Sequence, residues 1–189
     1  SDLYYTNEPS KITFLFSKEL PCRGGDTLLL NNYEVYAALP KALKEKLFGL
    51  WMHHSWTSGW PYTFPNRAPL SEEECAMAPD VEHPLVGQHP ETQRHFLFPG
   101  ALYDFQNPGI RLKGLSRQES ISLYEKLKDF TLSDRFIYRH KWSLGDIVAT
   151  DNLAGMHCAT NFNEDTEKRT IHRVTIRGKA PLEAQHASQ

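Results

Sequence analysis

The chain has 189 residues, 40% of them hydrophobic, enough for one domain with a sizeable core. Lys and Arg number 21 against 23 Asp and Glu, a net charge of −2, so there is no basic excess for nucleic acid and no charge run for a membrane surface. No apolar run approaches the roughly 20 residues that span a bilayer.

In chain order, Lys11 to Lys18 (KITFLFSK) reads as a buried strand, and Asp26 to Leu30 as the next, after a Pro-Cys-Arg-Gly-Gly turn. Asn31 or Asn32 caps a short helix through Ala38, and Pro40 opens another over KALKEKLFGL. Leu50 to Ser58 is strand-like. The stretch from Trp56 to Pro69 then reads as an irregular loop, because Gly59, Pro61, Pro65 and Pro69 break any period, yet its aromatics suit a lid. His83 to His89 and His95 to Phe98 form a hairpin, and Ser116 with Glu119 makes a capping box for ISLYEKLKDF. Phe136 to Trp142 leads into the final strands. Strands dominate, so the expectation is a mainly β fold: a jelly-roll or cupin-like double-stranded β-helix with peripheral helices, one domain over 1–189.

The cysteines Cys22, Cys75 and Cys158 are odd in number and form no C-x-x-C pair, which argues against a disulfide framework or a structural zinc site and fits a reducing, cytoplasmic setting. His53, His54, His83, His89 and His95 match no zinc spacing and read as structural.

The chemistry concentrates in Gly145 to Arg177, GDIVATDNLAGMHCATNFNEDTEKRTIHRVTIR. It reads as a strand over Asp146 to Thr150, a turn at Asp151-Asn152 fixed by Asx hydrogen bonds, and a strand carrying His157. In the last strand Arg169, Ile171, Arg173 and Thr175 share a face. An arginine among such neighbours predicts an interior that holds an anion. His157 brings an imidazole toward the same interior.

These residues resemble the Fe(II)/2-oxoglutarate dioxygenases of the taurine dioxygenase and 2,4-dichlorophenoxyacetate dioxygenase (TauD/TfdA) family. The carriers are W-x-x-G-D-x-x-x-x-D-N…H from Trp142 to His157, R-x-x-H-R from Arg169 to Arg173, and the stretches ELPCRGGDTLLLNNYEVYAALP and HPLVGQHPETQRHFLFPG. The resemblance implies an oxidoreductase that binds Fe(II), 2-oxoglutarate and O2, releases succinate and CO2, and hydroxylates a small organic, acidic substrate. It implies Asp2 and His157 as metal ligands and catalytic residues, with the family's remaining histidine falling immediately before Ser1, as in a chain forming the C-terminal two-thirds of a longer enzyme. It implies Thr27 and Arg173 as co-substrate anchors. Arg169 is a further cofactor-binding candidate, but four residues along a strand is roughly 13 Å, which puts it at the mouth or in a surface ion pair. Trp56 and Trp60 become candidate substrate contacts on the lid. Thr150 and Leu153 depart from the family's usual residues, so a sulfonate, an aryloxyacid and an amino-acid-derived or secondary-metabolite substrate all stay open. A homo-oligomer also stays open. So does the alternative of a non-catalytic jelly-roll ligand-binding protein that has lost its iron.

Overall fold

The computed structural model describes residues 2–100 and 106–185 of the chain. Its strands are β1 (Ser10–Glu19), β2 (Thr27–Asn31), β3 (Trp51–His54), β4 (Val81–Pro84), β5 (Val86–Gln88), β6 (His95–Leu97), β7 (Ile110–Leu112), β8 (Ile137–His140), β9 (Ile147–Asp151), β10 (Gly155–Ala159), β11 (Thr170–Arg177) and β12 (Leu182–Glu183). Its helices are α1 (Asn32–Ala38), α2 (Lys41–Leu47), α3 (Trp56–Thr63), α4 (Glu72–Met77) and α5 (Arg117–Thr131). The fold is mainly β, in small antiparallel sheets of three strands each, ordered β11-β1-β9, β10-β2-β8, β12-β5-β6 and β4-β3-β7.

The first two sheets position the site. In β1 the period-two alternation buries Thr13, Leu15 and Ser17 on one face. Their register sets Thr13 across from Thr150 and Thr175, and Leu15 across from Val148 and Arg173. That inner face therefore gathers hydroxyls and one arginine. The outer face carries Ile147, Val174 and Ile176, all exposed. In the second sheet Leu29 lies across from His157, on the same side as Thr27, while Leu30 and Met156 turn into the hydrophobic core.

That core lies behind the second sheet. Met52, Leu97 and Leu112 from the shorter strands, with Leu85 between β4 and β5, meet Leu123 and Leu127 of α5, all fully or almost fully buried. Each such side chain contributes about 1.5–3 kcal/mol by leaving water. The α5 helix starts where the Ser116–Glu119 capping box satisfies its first donors. Likewise Asn31 accepts from the amides of Tyr33 and Glu34 to start α1, as expected.

The segment after β3 differs from expectation. The strand stops at His54, and Ser55 caps a helix over Trp56–Thr63 that contains Pro61. The helix persists because Trp56, Trp60 and Phe64 fall at i, i+4 and i+8 and pack as a column, with ring centroids 5.6 and 4.5 Å apart. A second missed capping box, Ser71 with Glu74, opens α4. The predicted second helix is also shorter than KALKEKLFGL: it ends at Leu47, and Gly49 follows at φ +75°.

Candidate metal and co-substrate site

Asp2 and His157 come together. Asp2 Oδ2 lies 3.8 Å from His157 Nε2, with the two side chains 13% and 20% exposed. Metal–ligand bonds to nitrogen and carboxylate oxygen are about 2.0–2.2 Å, so one ion can span this gap. Burial lowers the His157 pKa, opposed by the Asp2 charge. Burial thus favours the neutral imidazole, the form with a lone pair for a metal. Among the described residues no group of three or more His, Cys, Asp and Glu could hold an ion, so this pair is a partial donor set.

Asp2 stands in a turn, not on a strand, since β1 begins only at Ser10. Each of its carboxylate oxygens nevertheless accepts a hydrogen bond. Thr13 donates its hydroxyl to Oδ2 at 2.7 Å, and Arg173 Nη1 donates to Oδ1 at 2.9 Å. Thr13 is completely buried at this point of β1. A polar residue on a buried strand face was the available sign of its role.

Thr27 and the arginines are arranged differently from the sequence-based expectation. Arg173 belongs to Asp2 and not to Thr27. It is Arg169 that reaches Thr27: Nε donates to the Gly25 carbonyl at 2.7 Å and Nη2 to Thr27 Oγ1 at 3.1 Å. The physical reason is that Arg169 precedes β11, so its side chain folds back over the Gly24-Gly25 turn instead of following the strand. Burial lowers its pKa, although a guanidinium stays charged at any physiological pH. Trp142, which the sequence reading passed over, donates Nε1–H to the same Thr27 oxygen at 2.9 Å.

This fixes the chemistry of Thr27. A hydroxyl oxygen has two acceptor positions and one proton. Trp142 and Arg169 occupy both positions, so the Thr27 proton is directed to a further acceptor. Thr27 is 2% exposed, which removes bulk water as the ready answer. A carboxylate has the lone pairs for such a proton and the charge to meet Arg169 beside it.

Of the two tryptophans, Trp56 joins the site's surroundings and Trp60 does not. Trp56 stacks on Tyr5 at 4.3 Å, and both line a cavity of about 980 Å³ with Leu3, Thr175 and Arg177. Thr175 is the ladder neighbour of Thr13 and Leu3 follows Asp2, but Asp2, His157, Thr27, Arg169 and Arg173 do not line this cavity themselves. Trp60 instead donates to the Ala68 carbonyl at 2.9 Å and packs within its own aromatic column.

His54, His83 and His89 are buried, and His53 pairs with Asp80 at 3.1 Å. His172 sits on the face opposite Arg173, against the Phe16 ring. Among the described residues no helix is long and apolar enough to cross a membrane.

The chain is similar to known proteins over nearly its whole length. The chain is 29% identical over 180 residues to an alpha-ketoglutarate-dependent 2,4-dichlorophenoxyacetate dioxygenase of Cupriavidus pinatubonensis, covering 93% of this chain and 58% of that protein. It is 28% identical over 187 residues to an alpha-ketoglutarate-dependent sulfate ester dioxygenase of Pseudomonas putida, covering 96% and 60%. The chain thus spans less than two thirds of these relatives' lengths. The structure of AAD-2 in complex with Mn(II) and N-oxalylglycine superposes with a TM-score of 0.80 at 25% identity, over 96% of this chain and 69% of that one. A taurine dioxygenase from Burkholderia xenovorans gives 0.76 at 27% identity, over 96% and 57%. Residues 1–175 match the family described as taurine catabolism dioxygenase TauD, TfdA family, and the chain belongs to it.

Proposed function

We propose that this chain carries the site of an Fe(II)- and 2-oxoglutarate-dependent dioxygenase that hydroxylates a small organic acid and releases succinate and CO2. The fold we assign is the jelly roll, or double-stranded β-helix, as a single domain over 1–189. The observation that carries the reading is the Thr27 hydroxyl, filled as an acceptor by Trp142 and Arg169 and left with a proton to give.

Arg169 and Thr27 bind one carboxylate of 2-oxoglutarate, and Trp142 orients the threonine for it. Leu29, across from His157, is two residues from Thr27 on the same face, about 7 Å along the strand. An extended five-carbon diacid covers that distance, so its keto-acid end faces His157 and Asp2. These two supply protein ligands to the metal. When bound, Fe(II) with 2-oxoglutarate supplies the activation of dioxygen. Arg173 offsets the carboxylate charge of Asp2 and lies where an anionic substrate group would meet it. Tyr5 and Trp56 form an aromatic wall that keeps water from the reacting centre. The relatives' names support aryloxyacids and sulfate esters as substrate classes. The three cysteines are free, which supports a reducing, cytoplasmic setting.

A second reading, a 2-oxoglutarate-binding protein without turnover, draws support from the two-donor set. One experiment separates them: incubation with Fe(II), 2-oxoglutarate and oxygen, followed by succinate measurement. The dioxygenase reading expects succinate from the intact protein and none from its Asp2→Ala or His157→Ala variants. Saturable 2-oxoglutarate binding without succinate would favour the second reading.

A further inference from the structure

The metal donor Asp2 lies in a loop, and a ligand on a loop needs an outer fixture to hold its direction. Asn152 reaches it from the turn between β9 and β10. Its Oδ1 accepts the Asp2 amide at 2.7 Å and its Nδ2 donates to the Asp2 carbonyl at 2.8 Å. The second Nδ2 proton goes to the Ser10 carbonyl at 2.9 Å, where β1 begins. Thr13 Oγ1 stands 3.3 Å from Asn152 Oδ1 and gives its single proton to the Asp2 carboxylate. The side-chain amide therefore brackets the Asp2 Cα on both sides and settles its backbone torsions.

The turn does not need this side chain for its own shape. Asp151 Oδ1 already accepts from the amides of Leu153 and Ala154 at 3.0 and 3.2 Å. The Ala154 carbonyl accepts from Asn32, and the Asn152 amide donates to Lys11. Gly155 completes the turn tightly, since a Cβ there would stand 2.5 Å from the Asp151 carbonyl oxygen. The Asn152 side chain, 1% exposed, is free of local duty and spent on Asp2. The same turn runs directly into β10, which carries His157.

We propose that Asn152, with Thr13, is the positioning residue of the carboxylate donor, so that one turn locates both Asp2 and His157. This rests on the metal-binding reading above. Its effect is on metal affinity and on Asp2 order, and only through these on turnover.

The test uses the intact protein in two measurements. Co(II) titration followed by visible absorption reads affinity, and amide exchange by NMR reads the Asp2 N–H against the β1 ladder. Asn152→Ala should weaken Co(II) binding about 10- to 100-fold, the usual cost of losing an outer-shell partner. It should also speed exchange at Asp2 at least about tenfold while β1 amides stay within about twofold. Thr13→Val should weaken Co(II) binding and Thr13→Ser restore it, a pair that decides the matter if Asn152→Ala does not fold. Unchanged affinity in Asn152→Ala with a still-protected Asp2 amide overturns the proposal, as does Thr13→Val equal to parent. A parent protein that takes up no Co(II) contradicts the metal centre instead, and Asp2 exchange alone then decides the role of Asn152.

Discussion

Arg169 crosses from the edge of one sheet to Thr27 in another, with Nη2 3.1 Å from Oγ1. Its Nε is held by the Gly25 carbonyl, so the guanidinium is oriented before any ligand arrives. Arg173, four residues on, is committed to Asp2. Arg169→Ala should therefore raise KM for 2-oxoglutarate at least about tenfold, since a charge-assisted contact is worth roughly 1.5–3 kcal/mol. Arg169→Lys should be impaired too, because an ammonium cannot hold Gly25 and a carboxylate in one plane. Steady-state kinetics on both arginines checks this. A larger KM effect from Arg173→Ala would reverse the assignment.

Trp142 donates to Thr27, and in the proposed reading it acts on the co-substrate through that hydroxyl. Trp142→Phe keeps most of the ring volume and removes the Nε1–H. KM for 2-oxoglutarate should rise several-fold while KM for the organic substrate stays put. Thr27→Val removes the hydroxyl itself and should cost at least as much. Equal shifts in both KM values would point to general loosening.

His54 is buried with neither ring nitrogen hydrogen-bonded, and its pKa is lowered to about 3 by burial, then by His83 and His53. The unfolded chain takes up this proton as pH falls below about 6.5. The folded chain does not until about 3. Stability is therefore present above pH 6.5 and lost as pH falls toward 3, by up to about 1.4 kcal/mol per pH unit for one proton. His83, also lowered by burial, adds in the same direction. Urea unfolding at several pH values should show His54→Leu losing less stability between pH 6.5 and 4 than the parent. Parallel losses would place the acid sensitivity elsewhere.

Trp56 and Trp60 should separate by function. Trp56 faces the 980 Å³ cavity with Tyr5, whereas Trp60 braces α3 between Trp56 and Phe64. Trp56→Ala should change which substrates are hydroxylated and raise 2-oxoglutarate turnover that is not coupled to hydroxylation. Trp60→Ala should lower stability by about 1–3 kcal/mol through lost apolar burial and leave substrate preference unchanged. A substrate panel and a urea melt distinguish the two.

Much of this arrangement is legible in the sequence, and the rest is hidden for identifiable reasons. Alternation fixes β1 and β11, and Asn31, Ser116 and Glu119 mark helix starts, because those features act within a few residues. The α3 helix is obscured since Gly59 and Pro61 argue locally against it, while the packing of Trp56, Trp60 and Phe64 holds it. Spacing along β11 correctly separates Arg169 from Arg173. It cannot tell which one meets Thr27, because Arg169 lies just outside the ladder and bends back. Asn152 reads as a turn residue from its neighbours, and its grip on Asp2 spans 150 positions of chain.

If Asp2 and His157 hold a metal while Arg169 and Thr27 hold 2-oxoglutarate against it, the two ligands bind cooperatively. Calorimetric titration of 2-oxoglutarate into the intact protein, without oxygen and with or without Mn(II), reads this. One saturable site should tighten when Mn(II) is present, lose that tightening in Asp2→Ala and His157→Ala, and weaken at least about tenfold in Arg169→Ala. Binding that ignores Mn(II), or that survives Arg169→Ala unchanged, would show that the two groups do not share this site.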